Sequence, residues 1–197
     1  MLQRVAFGPR PNRLNAARTG LGAGLRNLPN SSHPCRMSQS ASRIRSLRAA
    51  GDHDAALRLA LELVGAEPTD ADLQYEVACL LDYRGEEAAA VGHYTAAIAA
   101  GLSDHLLRSA YLGLGSTYRA LGAYTESLAT FDEGVRRFPD ALELRVFRAM
   151  ALYNAGQGKV AVETLLRVIA QTTSDVELAR YRRAIELYAE DIDRKWS

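Results

Sequence analysis

Across residues 42–196, apolar side chains recur at intervals of three and four, separated by short polar or glycine-containing breaks. This is the pattern of amphipathic helices joined by tight turns. The stretch YLGLGSTYRALGAYTESLATF, residues 111–131, holds two such helices, yet it carries Gly113, Gly115 and Gly122. An interior glycine costs about 1 kcal/mol relative to alanine, so each needs a packing or turn requirement to explain it. Residues 1–40 lack the periodicity. Gly, Pro, Asn, Ser and Arg are scattered through them, a composition that buries too little apolar surface to order itself. They read as a disordered basic tail with three open origins: a gene-model extension upstream of a start at Met37, a solvated tail, or an Arg-rich, acid-free transit peptide.

Laid against itself, the chain repeats. One glycine per unit fixes the phase: Gly51 in LRAAGDHDAALRLALELVGAEP, Gly85 in LLDYRGEEAAAVGHYTAAIAAGL, Gly122 in TYRALGAYTESLATFDEGVRRFP and Gly156 in LYNAGQGKVAVETLLRVIAQTT. The spacings are 34, 37 and 34 residues, a period that marks a helical repeat array. The three surplus residues fall in GLSDHLL, residues 101–107, which is expected to absorb them as a loop.

On these residues the chain resembles the tetratricopeptide repeat (TPR) family, whose unit is a helix, a tight turn and a second antiparallel helix. The third unit matches furthest, with Tyr111, Leu114, Gly115, Tyr118, Gly122, Tyr124, Phe131 and Pro139 at the family's signature positions. Ser127 and Gly134 replace its usual alanines. Where paired helices approach most closely the units carry Ala56, Ala90, Ser127 and Ala161; the groove-filling position has Ala60, Tyr94, Phe131 and Leu165. One turn further stand Val64, Ile98, Val135 and Ile169. Small residues let backbones approach, and large ones fill the space left over.

The resemblance implies an all-α, right-handed superhelical solenoid of about four hairpins, with repeats near 37–70, 71–104, 108–141 and 142–175 and a capping helix over 176–196. In that frame Gly115 admits the paired helix and Gly122 begins the turn. For Gly113, relief of crowding against the preceding unit and mere tolerance are both open. The first unit departs from the pattern at Ser40, Arg43 and Ile44, so its opening helix is degenerate, as terminal repeats commonly are. The fourth has Arg148 at an inner position and lacks the closing proline, which leaves its inner packing open.

From Asp175 the sequence DVELARYRRAIELYAEDIDRKW reads as one long helix opened by a good N-cap residue. Its stripe of Leu178, Tyr181, Ile185, Tyr188 and Ile192 is expected to pack on the fourth repeat. Ala179, Arg182, Arg183 and Glu186 then face water where a second helix would otherwise lie. Trp196 carries the stripe beyond the reach of one hairpin. Ile192 and Trp196 thus mark an expected surface for a homodimer, the alternative being a tryptophan folded back on its own helix.

Charge and composition narrow the function. The formal net charge is +1, but six of the 24 basic residues and none of the 23 acidic ones fall in residues 1–36, leaving a mildly acidic body. That argues against nucleic acid as a partner, which calls for clustered cations on the folded part. No apolar run approaches the roughly 20 residues that span a bilayer, so no membrane partner is expected. Cys35 and Cys79 offer no disulfide framework and point to a reducing, cytoplasmic setting. Lys159 and Lys195 are the only lysines and alanine is abundant, usage that suggests a GC-rich bacterial gene.

No catalytic constellation emerges. His33 lies in the tail, His93 inside a helix and His105 beside Asp104. His53, between Asp52 and Asp54, and the pair Glu86 and Glu87 fall at the starts of second helices, where acids complement the helix dipole. Neither cysteine has a metal-ligand neighbour, and LGLGS and GQG come after no strand, so no metal, cofactor or phosphate loop is expected.

The family geometry lines a concave groove with the first helix of each unit. Its expected peptide-binding residues are Arg45, Arg48, Tyr75, Asp82, Tyr83, Arg119, Tyr153 and Asn154, since rings supply contact area while polar groups meet backbone and carboxylates. Two alternatives stand beside this: Tyr75, Tyr83 or Tyr153 as wedges between repeats, and Arg119 paired with Asp82. The family's clamp for a C-terminal carboxylate is missing, with Cys79, Ser116 and Met150 where asparagine is wanted. Over residues 42–196 the chain is similar to small stand-alone bacterial TPR proteins of unassigned function. The implied role is a non-enzymatic protein-interaction module that binds a peptide or protein segment. The alternative is a regulatory sensor that takes a small ligand or signalling peptide and changes its oligomeric state.

Overall fold

The computed structural model describes residues 39–195. The expectations for the segment before residue 39, and for Trp196, lie outside the described residues. Eight helices form the body: α1 (Gln39–Ala49), α2 (His53–Ala66), α3 (Ala71–Arg84), α4 (Glu87–Ala100), α5 (Asp104–Ala120), α6 (Tyr124–Arg137), α7 (Leu142–Asn154) and α8 (Gly158–Thr172). Two shorter ones complete the described chain, α9 (Val176–Arg180) and α10 (Arg182–Glu190). Consecutive helices pair as hairpins, each second helix also packs on the first helix of the next unit, and α1, α3, α5 and α7 pack side by side. One apolar core runs from Ala41 through Ala151, so the molecule is a helical-repeat solenoid.

The constant glycine phase has a backbone cause. Gly51, Gly85, Gly122 and Gly156 have φ of 82, 78, 77 and 78°, the left-handed region that closes each first helix. The three surplus residues go elsewhere than expected. Only residues 101–103 join α4 to α5, and α5 is 17 residues long where α3 has 14. The insertion is an extra N-terminal turn of α5, because Leu106 and Leu107 bury their side chains there.

Two aromatic knobs fix α5. Tyr94 from α4 and Phe131 from α6 are fully buried, opposite Gly113 and Gly115. A Cβ at residue 113 would lie 2.5 Å from Tyr94 Cζ, and one at residue 115 would lie 2.7 Å from Phe131 Cζ. Gly113 is therefore required by crowding against the preceding unit. Ser127 replaces alanine at the close approach and donates its hydroxyl proton to the Gly115 carbonyl at 2.7 Å.

The two irregular units pack by different means. In α1, Ala41 and Ile44 are buried, and Arg45 and Arg48 both bind Glu76 of α3, whose side chain is only 1% exposed. Arg45 also lies 3.7 Å from Asp72. Charge thus anchors a helix that lacks the usual large apolar residues. In α7, Arg148 turns out of the inner packing to pair with Asp132 of α6 at 2.5 Å.

The capping segment departs most from expectation. The single helix over 176–196 is two, hinged at Tyr181, whose φ and ψ of −96 and 5° leave the helical track. Asp175 caps α9 through Leu178 N–H at 2.7 Å, as its identity suggests. Helix α10 stops at Glu190 because α8 captures the residues around its end. Lys159 binds the Asp191 and Asp193 carboxylates, the Ile192 N–H donates to buried Glu163 at 3.2 Å, and Arg167 donates to the Ala189 carbonyl. Ala189 is the buried residue of α10; Leu178, Tyr181, Tyr188 and Ile192 remain exposed, so the stripe does not pack on the fourth repeat as a whole.

Urea denaturation monitored by helical circular dichroism tests both kinds of contact. Gly113→Ala and Gly115→Ala should each cost about 1–3 kcal/mol through overpacking, whereas Gly92→Ala, with open space around it in α4, should gain about 0.5–1 kcal/mol. Glu76→Gln, which strips the buried counter-charge from two arginines, should cost about 3–5 kcal/mol. Arg84→Ala, in an exposed pair with Asp54, should cost less than about 1 kcal/mol.

Candidate functional site

The inner helices α1, α3, α5 and α7 form one wall, and their side chains fall into two groups. Most of the N-terminal half is already engaged. Arg45 and Arg48 are committed to Glu76. Tyr75 is 2% exposed and packs edge-on against Tyr94, with centroids 6.2 Å apart and planes at 62°. It is a core wedge and does not line the groove. Cys79 is buried beside the same ring and accepts from Tyr94 Oη at 3.7 Å; burial pushes its thiol up, away from reactivity.

Asp82 accepts from Thr117 Oγ1 at 3.1 Å, a proton it shares with the Gly113 carbonyl at 2.9 Å, and it competes with Cys79 for the proton of Tyr94 Oη, 3.5 Å away. Burial raises its carboxyl above the ordinary range, while the Thr117 hydrogen bond works the other way. The neighbour that Asp82 meets across the repeats is thus Thr117, and Arg119 turns to α7 instead.

Tyr83 stands at the wall's turn edge, stacked on His53 with centroids 4.0 Å apart. The pair borders an open cleft of about 540 Å3, with Gly51, Asp52, Asp54, Arg84 and Glu86 completing the lining. Asp52 accepts from the Ala55 N–H at 3.0 Å, and Arg84 bridges Asp54 at 2.7 Å and Glu86 at 2.8 Å. The Asp-His-Asp run therefore works as a helix cap and a tie between turns. Of its polar atoms, His53 Nδ1 is buried without a hydrogen-bond partner.

Arg119 and Asn154 meet where α5 packs on α7, and Tyr153 precedes Asn154 on α7. Arg119 Nη1 donates to Asn154 Oδ1 at 3.2 Å. Tyr153 is 71% exposed, and Met150, one turn before it, is 40% exposed. Arg45, Arg48, Arg84, Arg108 and Arg148 each meet a carboxylate, whereas Arg119 meets a neutral amide and Arg145 of α7 meets the Pro139 carbonyl. Among the described residues no carboxylate lies within ion-pair distance of Arg119, and its Nε is buried without a hydrogen-bond partner.

Ser116, one turn earlier on α5, adds a second such atom. Its Oγ is buried and unpartnered. Other helical hydroxyls, on Ser46, Thr95, Ser109, Thr130, Thr164 and Thr172, bond back to the carbonyl four residues earlier. Ser116 does not. The family geometry puts Ser116 on the concave face, at a position where asparagine is wanted, and the sequence carries no sign of its unsatisfied hydroxyl.

Ile192 is exposed at the far end beyond α10. Among the described residues no group of three or more His, Cys, Asp or Glu is placed to hold a metal, and no helix is long and apolar enough to cross a membrane.

Comparison with known proteins gives the same architecture. A solved structure of YrrB, described as a TPR protein with an unusual peptide-binding site, is similar with a TM-score of 0.61 and 17% identity over 79% of this chain and 78% of that one. At that identity the likeness concerns the fold. No curated protein matches the chain. Residues 71–192 match the family model described as Tetratrico peptide repeat, more than half of the chain's 197 residues: the chain belongs to the tetratricopeptide repeat family.

Proposed function

We propose that this protein is a non-enzymatic cytoplasmic adaptor that holds an extended peptide or protein segment against the α5–α7 junction of its inner wall. The observation that carries this reading is the convergence of Arg119, Asn154, Tyr153 and Met150 on adjacent inner helices, with hydrogen-bonding capacity still uncommitted. An exposed tyrosine and an arginine on neighbouring helices have the composition of an interface anchor. YrrB, which shares the fold, is described as having a peptide-binding site of an unusual kind, and this supports the general role.

The small-ligand reading has the Tyr83–His53 cleft in its favour. There, however, Asp52, Asp54, Arg84 and Glu86 already satisfy one another or a helix N-terminus. The cleft thus offers a ligand the unpartnered His53 Nδ1 but no cation without a carboxylate, whereas the α5–α7 junction offers Arg119.

An array of overlapping peptides probed with the full chain tests the adaptor reading. Tyr153→Ala should weaken the bound spots by about fivefold or more, a loss of about 1 kcal/mol typical of an aromatic anchor. Leu61→Ala, at an exposed site on α2, should leave them unchanged. Equal binding by wild type and Tyr153→Ala would place the interaction on another face.

A further inference from the structure

Resting on the peptide-binding reading, we infer that the bound segment is anchored by the side-chain carboxylate of an Asp or Glu, received by Arg119 together with Ser116 and Asn154.

The donor inventory of the junction leads to this ligand. Arg119 has five N–H donors and no acceptor, and the hydrogen bond it makes to Asn154 Oδ1 uses one of its terminal nitrogens. Its Nε has no partner. Asn154 commits its carbonyl oxygen to Arg119, which leaves its NH2 to donate outward. The Ser116 hydroxyl, also without a partner, supplies another donor. What remains at the junction is a set of donors around an uncompensated positive charge. An ionised carboxylate is the complementary group, being acceptor-only with room for about four hydrogen bonds.

Other chemistries fit less well. A ligand Lys or Arg would meet like charge. A backbone carbonyl accepts but leaves the guanidinium charge unmatched, and charge-assisted bonds are roughly twice as strong as neutral ones. A phosphate carries close to two negative charges at neutral pH, more than one guanidinium offsets. Position is constrained as well. Asp82 lies on the α3 side of α5, held by Thr117, so a second carboxylate is repelled there and drawn towards α7. Arg119 Nε and Ser116 Oγ are enclosed in this structure, so the carboxylate enters as the guanidinium turns outward, exchanging a neutral contact for a charged one. Tyr153 and Met150 then offer a ring and a thioether to an apolar residue beside the acid.

The test uses synthetic peptide libraries, blocked at both termini and randomised except for a fixed central Glu, Gln, Lys or phosphoserine, measured by fluorescence polarisation against the full chain. The fixed-Glu library should bind about tenfold tighter than the fixed-Gln library, with the gap narrowing as salt rises. In Arg119→Gln the gap between the fixed-Glu and fixed-Gln libraries should vanish. Asn154→Asp, which places a carboxylate against Arg119 within the chain itself, should also abolish the preference, and matched thermal melts establish that both variants fold. Equal Glu and Gln binding in wild type would overturn the carboxylate anchor and leave the peptide-binding reading standing. So would tighter binding of the phosphoserine library, or a Glu preference that survives Arg119→Gln. If no library binds wild type, both readings fall.

Discussion

The approach of Tyr94 and Phe131 to the glycine-relieved faces of α5 sets the geometry of the molecule. Both rings are fully buried, and neither could reach its seat past a methyl group. A helix advances about 1.5 Å per residue, so fixing α5 at Gly113 and Gly115 also fixes the residues one turn further on. Thr117 then meets Asp82 of α3 on one side and Arg119 meets Asn154 of α7 on the other. The same contacts that build the core therefore distribute the polar groups of the wall, and interiors packed at crystal-like density leave little slack for either to move alone.

The ends of the solenoid rely on a different force. A repeat array buries its core by stacking, so each terminal unit lacks one neighbour. At the N-terminal end α1 compensates with Arg45 and Arg48 on Glu76, a cluster set against α3. At the C-terminal end Lys159 holds Asp191 and Asp193, and these neighbours raise its ammonium pKa well above the usual lysine range. That second network is solvent-exposed, where ion pairs contribute little and salt screens them. Glu163 is the enclosed member of the C-terminal set, and it engages backbone at Ile192. The two caps therefore differ in strength: a buried counter-charge secures α1, while α10 rests mainly on surface pairs and on Ala189.

Much of the fold was legible in the sequence because it rests on local rules. A left-handed turn at a fixed phase demands glycine, and Gly51, Gly85, Gly122 and Gly156 show it. Close approach demands small residues, and Ala56, Ala90 and Ser127 comply. What escaped was decided by tertiary competition. The insertion at residues 101–107 extends α5 because Leu106 and Leu107 gain more from burial than from solvent. The break at Tyr181 leaves α10 packed on α8, an arrangement that the apolar stripe alone does not specify. Tyr75 fits a groove-facing periodicity equally well, and only the position of Tyr94 shows it to be a wedge. Of the candidate site, Arg119, Tyr153 and Asn154 could be read from spacing, whereas the unpartnered Ser116 Oγ could not, since a hydrogen bond that fails to form leaves no trace in sequence.

The division of the wall is the ground on which recognition is proposed towards its C-terminal half. A buried polar group without a partner carries a free-energy cost, so natural cores satisfy nearly all of them. Between α1 and α3 the buried charge is largely matched: Arg45 and Arg48 share Glu76, and Asp82 accepts from Thr117, while Arg45 Nη2, in ion-pair range of Asp72, and His53 Nδ1 make no hydrogen bond. Binding there would have to break existing pairs before making new ones. At the α5–α7 junction the opposite holds, because Arg119 Nε and Ser116 Oγ are already stripped of water and uncompensated. A ligand that reaches them as the guanidinium turns outward supplies hydrogen bonds that the chain does not, on helices whose backbones the Tyr94 and Phe131 contacts hold in place. Preorganisation of that kind favours affinity because less freedom is lost on association.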